Sequence, residues 1–222
     1  MKNYAKIIAS VILICLSILT AMSVIVANEQ YLQSKQPLVC LDAGHGGRDV
    51  GAVSKDSKRL EKDDNLAFTL LVKKKLEKKE IKVLLTRSSD CEVKLSKRVK
   101  KANRWKADIF VSLHRNSAVS GNGVEIWIGS QNNENERLLA QNILDSLVDV
   151  GVQSVRGIKV GFRDGKALDY YINKYTDMTS CLVELGFVTD EKDNQLFDKN
   201  KDKYAQAVAD AIEQTLEAKN ET

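Results

Sequence analysis

The stretch Leu38–Ala52, LVCLDAGHGGRDVGA, begins as an apolar run and passes directly into a loop carrying Gly44, Gly46, Gly47 and Gly51. A short apolar run bounded by turn signals reads as a buried strand. The glycines allow close backbone approach around the residue they surround, His45. This loop is no phosphate cradle, because it lacks the Gly-Lys-Ser/Thr ending of a P-loop.

Outward from this strand, helical and strand patterns alternate, which specifies an α/β domain. A helix is expected from Asp63 to Lys79, with Phe68, Leu71, Val72 and Leu76 as its apolar stripe. KVLLT (82–86) is the second strand. Leu95, Val99, Ala102 and Trp105 recur at helical spacing and are expected to face the core, Trp105 as packing. IFVSLH (109–114) is the third strand and GVEIWIG (123–129) the fourth, with Glu125 and Trp127 on the face opposite Val124, Ile126 and Ile128. Trp127 is expected in the core. Leu139, Ile143, Leu147 and Val150 mark another helix, and the run from there to Tyr171 reads as loops that shape a groove. SCLVE (180–184) is a buried strand, and Tyr204, Val208, Ile212 and Leu216 line a closing helix. The expected fold is a three-layer sandwich, with a central mixed, mostly parallel sheet and helices on both faces. Lys73–Lys75 and Lys97–Lys101 fall on helices, where they read as solvated faces.

The chain has two histidines, and both end strands: His45 in the opening stretch and His114 in IFVSLHRNS (109–117). Two carboxylates stand in comparable settings, Glu61 in RLEKDDNLAF (59–68) and Glu184 in CLVELGFVTD (181–190). A catalytic zinc site takes three protein ligands from His, Asp or Glu and leaves the fourth position to water, and His45, Glu61 and His114 would fill that shell. A hydrolase also needs a base to take a proton from the water and return it to the leaving group. Glu184 follows an apolar strand, where an unpaired carboxylate is costly, so a functional acid is the reading there. Taken singly, a His at a strand end is more often a hydrogen-bonded structural residue, and a Glu at a helix start is more often a cap. Four such residues together favour a metal site.

These motifs resemble, in order, those of the zinc-dependent N-acetylmuramoyl-L-alanine amidases of the amidase 3 type, and the resemblance runs from Leu38 to about Leu216. DAGHGGRDVGA is similar to the first block and LEKDDNLAF to the second. SLHRNS and LVELGFVTD follow. The resemblance implies zinc held by His45, Glu61 and His114, and Glu184 as the catalytic glutamate. Three positions depart from the family pattern: Ala43 and Thr179 stand where Pro is frequent, and Arg115 follows the third ligand where a small residue or another side chain is common. The first two concern local stiffness. Strand alternation sends Arg115 to the face opposite His114, unless the strand end lets it swing toward substrate. Asp42 and Asn116 are read as holding ligands or loops in place, and Arg87 as structural or as a partner for a substrate carboxylate.

Ahead of the domain, Lys2 and Lys6 precede the uncharged apolar run Ile7–Ala27. As a helix this run would extend about 32 Å, enough for a hydrocarbon core of about 30 Å, and the preceding charges place the N-terminus in the cytoplasm. The soluble part is therefore expected to be extracytoplasmic. A cleaved signal has a shorter apolar core, and Ala21-Met-Ser23 and Ile25-Val-Ala27 are imperfect cleavage sites, so an uncleaved membrane anchor is favoured over a secreted form. The expected organisation is anchor 1–27, linker 28–37 (NEQYLQSKQP) and catalytic domain 38–222. About 185 residues suit one domain with a sizeable core. Cys40, Cys91 and Cys181 remain outside the apolar segment; three thiols imply no disulfide framework, and two of them, in apolar strands, read as core residues. A net charge of +4 over 222 residues is mild. With export and no recognition motif, it argues against nucleic acid as a partner.

The resemblance implies a peptidoglycan substrate and hydrolysis of the amide between N-acetylmuramic acid and L-alanine. Three other readings stay open: a zinc peptidase cutting within the stem peptide, a non-catalytic wall-binding protein, and an amidase inactive until a protein activator acts. The non-catalytic reading would predict loss of Glu184 or of a ligand, and neither is lost. Cell separation, spore cortex modification (sporulation) and wall turnover all stay open as settings; a small anchored design favours a local developmental role. Family members with an internal blocking helix carry it after the strand matching GVEIWIG. The short turn from Gly129 to about Asn133 leaves no room for one, so an open site is expected.

Overall fold

The computed structural model describes residues 12–26, 36–162 and 169–220. It divides into two units, Met1–Gln36 and Pro37–Thr222. In the first, α1 (12–26) covers part of the Ile7–Ala27 run, whose ends lie outside the described residues. No helix among the described residues is long and apolar enough to cross a membrane.

The second unit follows the order β1 (Leu38–Ala43), α2 (Glu61–Glu77), β2 (Lys82–Leu85), α3 (Leu95–Trp105), β3 (Ile109–Asn116), β4 (Val124–Ile128), α4 (Glu134–Val150), β5 (Val155–Val160), α5 (Tyr171–Tyr175), β6 (Thr179–Phe187) and α6 (Glu191–Asn220). The six strands form one sheet in the order β2-β1-β3-β6-β4-β5. Every pairing is parallel except β4 with β6. Strand alternation then divides the side chains between two helical layers. Val39, Leu41, Ile109, Val111, Leu113 and Val183 pack with residues of α2, α4 and α6. Cys40, Phe110, Leu182 and Trp127 pack with Val99 and Ala102 of α3 and Ile172 of α5. This is the three-layer α/β sandwich expected from the sequence. Cys40 and Cys181 are fully buried thiols, and no disulfide forms among the described residues.

The topology also fixes where a site can form. From β1 the chain crosses by α2 to β2 on one side, whereas from β3 it proceeds to β4 on the other side. Neighbouring strands whose connections leave in opposite directions open a crevice at their C-terminal ends. His45 and His114 stand at the ends of those two strands.

Several local expectations are corrected. The second helix begins two residues earlier than expected, at Glu61, and ends at Glu77. Leu95 and Trp105 are 53% and 61% exposed. The apolar stripe of α3 is real, but the sheet covers only its middle, Arg98, Val99 and Ala102. Lys97–Lys101 is consequently not a uniformly solvated face, since Arg98 is buried. The run read as loops before Tyr171 contains β5, an edge strand, and α5 begins at Tyr171. Trp127 is buried as expected, with its Nε1 donating to Glu125 Oε1 at 3.1 Å.

Candidate metal centre at the sheet switch point

The opening stretch folds locally as its glycines require. His45 adopts a left-handed φ of +60°, and its ring stands edge-on to that of His114, with centroids 5.0 Å apart. A Cβ on Gly44 would stand 2.2 Å from the His114 ring, and one on Gly51 would stand 2.6 Å from Glu61 Oε2. Two glycines thus make the room in which three side chains meet. Glu61 is the first residue of α2, His114 projects from β3, and His45 hangs from the β1 loop.

His45 Nε2 lies 3.3 Å from Glu61 Oε2, and His114 Nδ1 lies 2.9 Å from Glu61 Oε1. One potential ligand atom from each of the three residues lies within 4.8 Å of the others. Bonds of about 2.0–2.1 Å in a tetrahedral site put neighbouring ligand atoms about 3.3 Å apart, so this spacing fits one small divalent ion. Two imidazoles and one carboxylate are also the donor set of a catalytic site with an open position.

The groups around the three residues hold them in register. Asp49 Oδ1 is 2.8 Å from His45 Nδ1, which leaves Nε2 facing Glu61. Glu61 Oε2 accepts from Ala52 N, and Oε1 from Asn65 Nδ2 and Arg115 N. Burial opposes charge on both Glu61 and His45. The neighbouring imidazoles nevertheless keep Glu61 well below the usual carboxylate range, and Glu61 and Asp49 raise His45 to about 9. A divalent cation would replace those protons as the partner of the carboxylate.

Glu184 is the Cα partner of His114 across β3 and β6, and of Glu125 across β6 and β4. It is 6% exposed and lines the same cleft as His45, Glu61 and His114, a cavity of about 1110 Å³. Val93, Lys94 and Leu95 at the start of α3 line it too, as do Tyr171 and Tyr175 of α5. Gly129 to Asn133 is a turn ahead of α4. Among the described residues, no acidic side chain from that region joins the three potential ligands.

The residues left open by the sequence take definite places. Arg87 is structural: its guanidinium donates to the carbonyls of Ala43, Gly44, Ser89 and Lys62. Asp42 accepts from Thr86 Oγ1, Ser112 Oγ and Arg98 Nη1, each at 2.6 Å. Arg98 also donates to the carbonyls of Ala43 and His45, so this pair carries the histidine loop. Asn116 Nδ2 donates to Glu125 Oε1, and Arg156 Nε to Glu125 Oε2. Arg115 lies on the face opposite His114, as alternation required, against Asp64 and Phe197. The sequence reading missed Asp49 and Arg98. An Asp four residues after the loop histidine was the available signal for the first; for the second it was an Arg beside Val99 on the apolar stripe.

Comparison with known proteins fits this geometry. The family described as N-acetylmuramoyl-L-alanine amidase, Amidase_3, matches residues 39–214. The chain belongs to the Amidase_3 family. This amidase is 39% identical to the uncharacterized protein YqiI of Bacillus subtilis over 81% of the chain and 85% of that protein. It is 35% identical to the N-acetylmuramoyl-L-alanine amidase LytC of Bacillus subtilis over 86% of the chain, a segment spanning 38% of LytC. The catalytic domain of CwlV, an N-acetylmuramoyl-L-alanine amidase from Bacillus (Paenibacillus) polymyxa var. colistinus, superposes with a TM-score of 0.73 at 34% identity, covering 82% of this chain and 99% of that one. The amidase is accordingly a peptidoglycan hydrolase, and the bond it cleaves joins N-acetylmuramic acid to L-alanine.

Proposed function

We propose that this amidase works through one zinc ion held by His45, Glu61 and His114, with Glu184 as the proton-transfer group. The observation that carries the metal assignment is the convergence of both imidazoles on the two oxygens of one buried carboxylate. Zinc, when bound there, lowers the pKa of bound water from about 15.7 toward 7 and polarises a carbonyl. Asp49 orients His45, and the Ala52 and Arg115 amides fix Glu61 as a carboxylate. Glu184 accepts the proton of the attacking water and delivers it to the alanine nitrogen, which leaves poorly as an amide anion. Its place beside His114 on the neighbouring strand supports that role.

Purified peptidoglycan incubated with the protein tests the reading. Free N-terminal alanine on otherwise intact stem peptides is the expected product, and new peptide ends within the stem would instead indicate a peptidase. The variant His45→Ala/His114→Ala is expected to lose zinc and activity together. Stoichiometric zinc in that variant, by elemental analysis, would remove the ligand assignment. If wild-type protein binds zinc but acts only when a second protein is supplied, the partner-dependent form of the same activity holds.

We also propose that residues 38–222 act outside the cytoplasmic membrane, tethered by Ile7–Ala27 through the linker 28–37. The length and charge-free character of that run support it, as does the wall location of the substrate. Protease added to wall-stripped intact cells is expected to digest the domain, and N-terminal sequencing to find no cleavage near Ser23 or Ala27. A mature N-terminus at either point would replace the tether with secretion.

A further inference from the structure

We infer that the ion pair between Arg115 and Asp64, on the sheet face opposite the His114 side chain, is a positioning device that holds Glu61 against His114 and so sets the affinity of the metal site. The inference rests on the proposed ligand set. Each member stands close in sequence to a ligand. Asp64 follows Glu61 by one helical turn on α2, and Arg115 follows His114 directly on β3. Arg115 Nη1 donates to Asp64 Oδ2 at 2.7 Å; the Arg115 side chain is buried at 1% exposure and that of Asp64 half-buried at 13%. The pair therefore bolts the first turn of α2 to the end of β3, the two elements whose separation fixes the distance from Glu61 to His114.

The other ligand contact is secured differently. Glu61 N donates to Ala52 O and Lys62 N to Val50 O, so backbone bonds tie α2 to the loop bearing His45. Toward His114, besides the 2.9 Å contact of Glu61 with His114 itself, Arg115 supplies two ties: its own N–H to Glu61 Oε1 at 3.2 Å and its guanidinium to Asp64. The first turn of α2 has no side-chain cap of its own, since its N-cap residue is Leu60. Alpha6 keeps the guanidinium in place: Arg115 Nη2 donates to Asn194 Oδ1 at 2.7 Å, and the group lies 4.3 Å from the Phe197 ring centroid. Groups that orient ligands from behind typically change metal affinity by about 10–100-fold when removed.

The test is zinc affinity of the purified full-length protein, measured by competition with a chromophoric chelator at a temperature where the metal-free protein is folded. Arg115→Met is expected to weaken zinc binding about 10–100-fold. Asp64 then keeps its second partner, Arg59 Nε at 2.7 Å, so the carboxylate is not left unpaired. Asp64→Asn should weaken binding in the same direction and decides the matter if Arg115→Met does not fold. Arg115→Lys, which can still reach Asp64, should recover part of the loss. Asn194→Ala removes a contact of Arg115 without separating α2 from β3 and should stay within about 3-fold of wild type. Wild-type affinity in folded Arg115→Met or Asp64→Asn overturns the inference. So does an equal loss in Asn194→Ala, which would mark a role in general stability. If the wild-type protein binds no zinc, the ligand assignment itself fails, a result distinct from either.

Discussion

Glu184→Gln is expected to lose at least about 10² to 10⁴ in turnover while retaining its zinc. Glutamine keeps the shape of the side chain but can neither accept the proton of the attacking water nor return it to the alanine nitrogen. The residue lies on β6, whereas the proposed ligands come from the β1 loop, α2 and β3. Its replacement therefore removes proton transfer without removing a donor from the metal. Turnover on peptidoglycan and zinc content should be measured on the same preparation. Near-normal turnover would end the proton-transfer assignment, and loss of zinc would move Glu184 into the metal shell.

The largest expected effect on stability comes from Arg98→Met. Asp42 and Arg98 are almost completely buried and joined at 2.6 Å, and removing one partner of such a pair costs about 3–5 kcal/mol. Burial alone would raise the Asp42 carboxyl, but Arg98, Ser112 and Thr86 outweigh it and hold it below the usual carboxylate range. A depressed native value contributes stability above the unfolded pKa, about 3.9, and that contribution fades as pH falls through the native value. The gap between wild type and Arg98→Met in urea unfolding should therefore be widest near neutral pH and narrow below about pH 4. Adding Asp42→Asn removes the stranded charge and should recover part of the loss. A gap independent of pH would mean that Arg98 contributes through packing and through the carbonyls of Ala43 and His45 rather than through Asp42.

The sheet was legible in the sequence where its strands are buried on both faces, because LVCLD, IFVSLH and SCLVE have no polar face to dilute the signal. β5 was not. It is an edge strand, its terminal residues Val155, Arg156 and Val160 are exposed, and Gly157 interrupts it with φ of +82°. α5 is a single turn of five residues, too short for a helical period to register. At the site, the histidines and glutamates stood out because each sits in a short motif at the end or start of an element. The groups behind them did not. Arg98 looks like one more cation in a lysine-rich helix until Asp42 is seen beneath it, and Arg115 looks like a departure until Asp64 is seen beside it. Trp105 was misplaced because a helical stripe gives direction but not the extent of the surface below it.

The order of the strands has a last consequence for how the protein matures. β1, β3 and β6 lie side by side only through parallel pairings between distant segments. His45 and His114 therefore come together only once β1 and β3 have paired, and Glu184 joins them only once β6 has paired with β3. If the domain acts outside the membrane as proposed and crosses it before folding, nothing can be loaded beforehand. The ion proposed for His45, Glu61 and His114 would then be drawn from the outer compartment, beyond the reach of the cytoplasm's metal buffering.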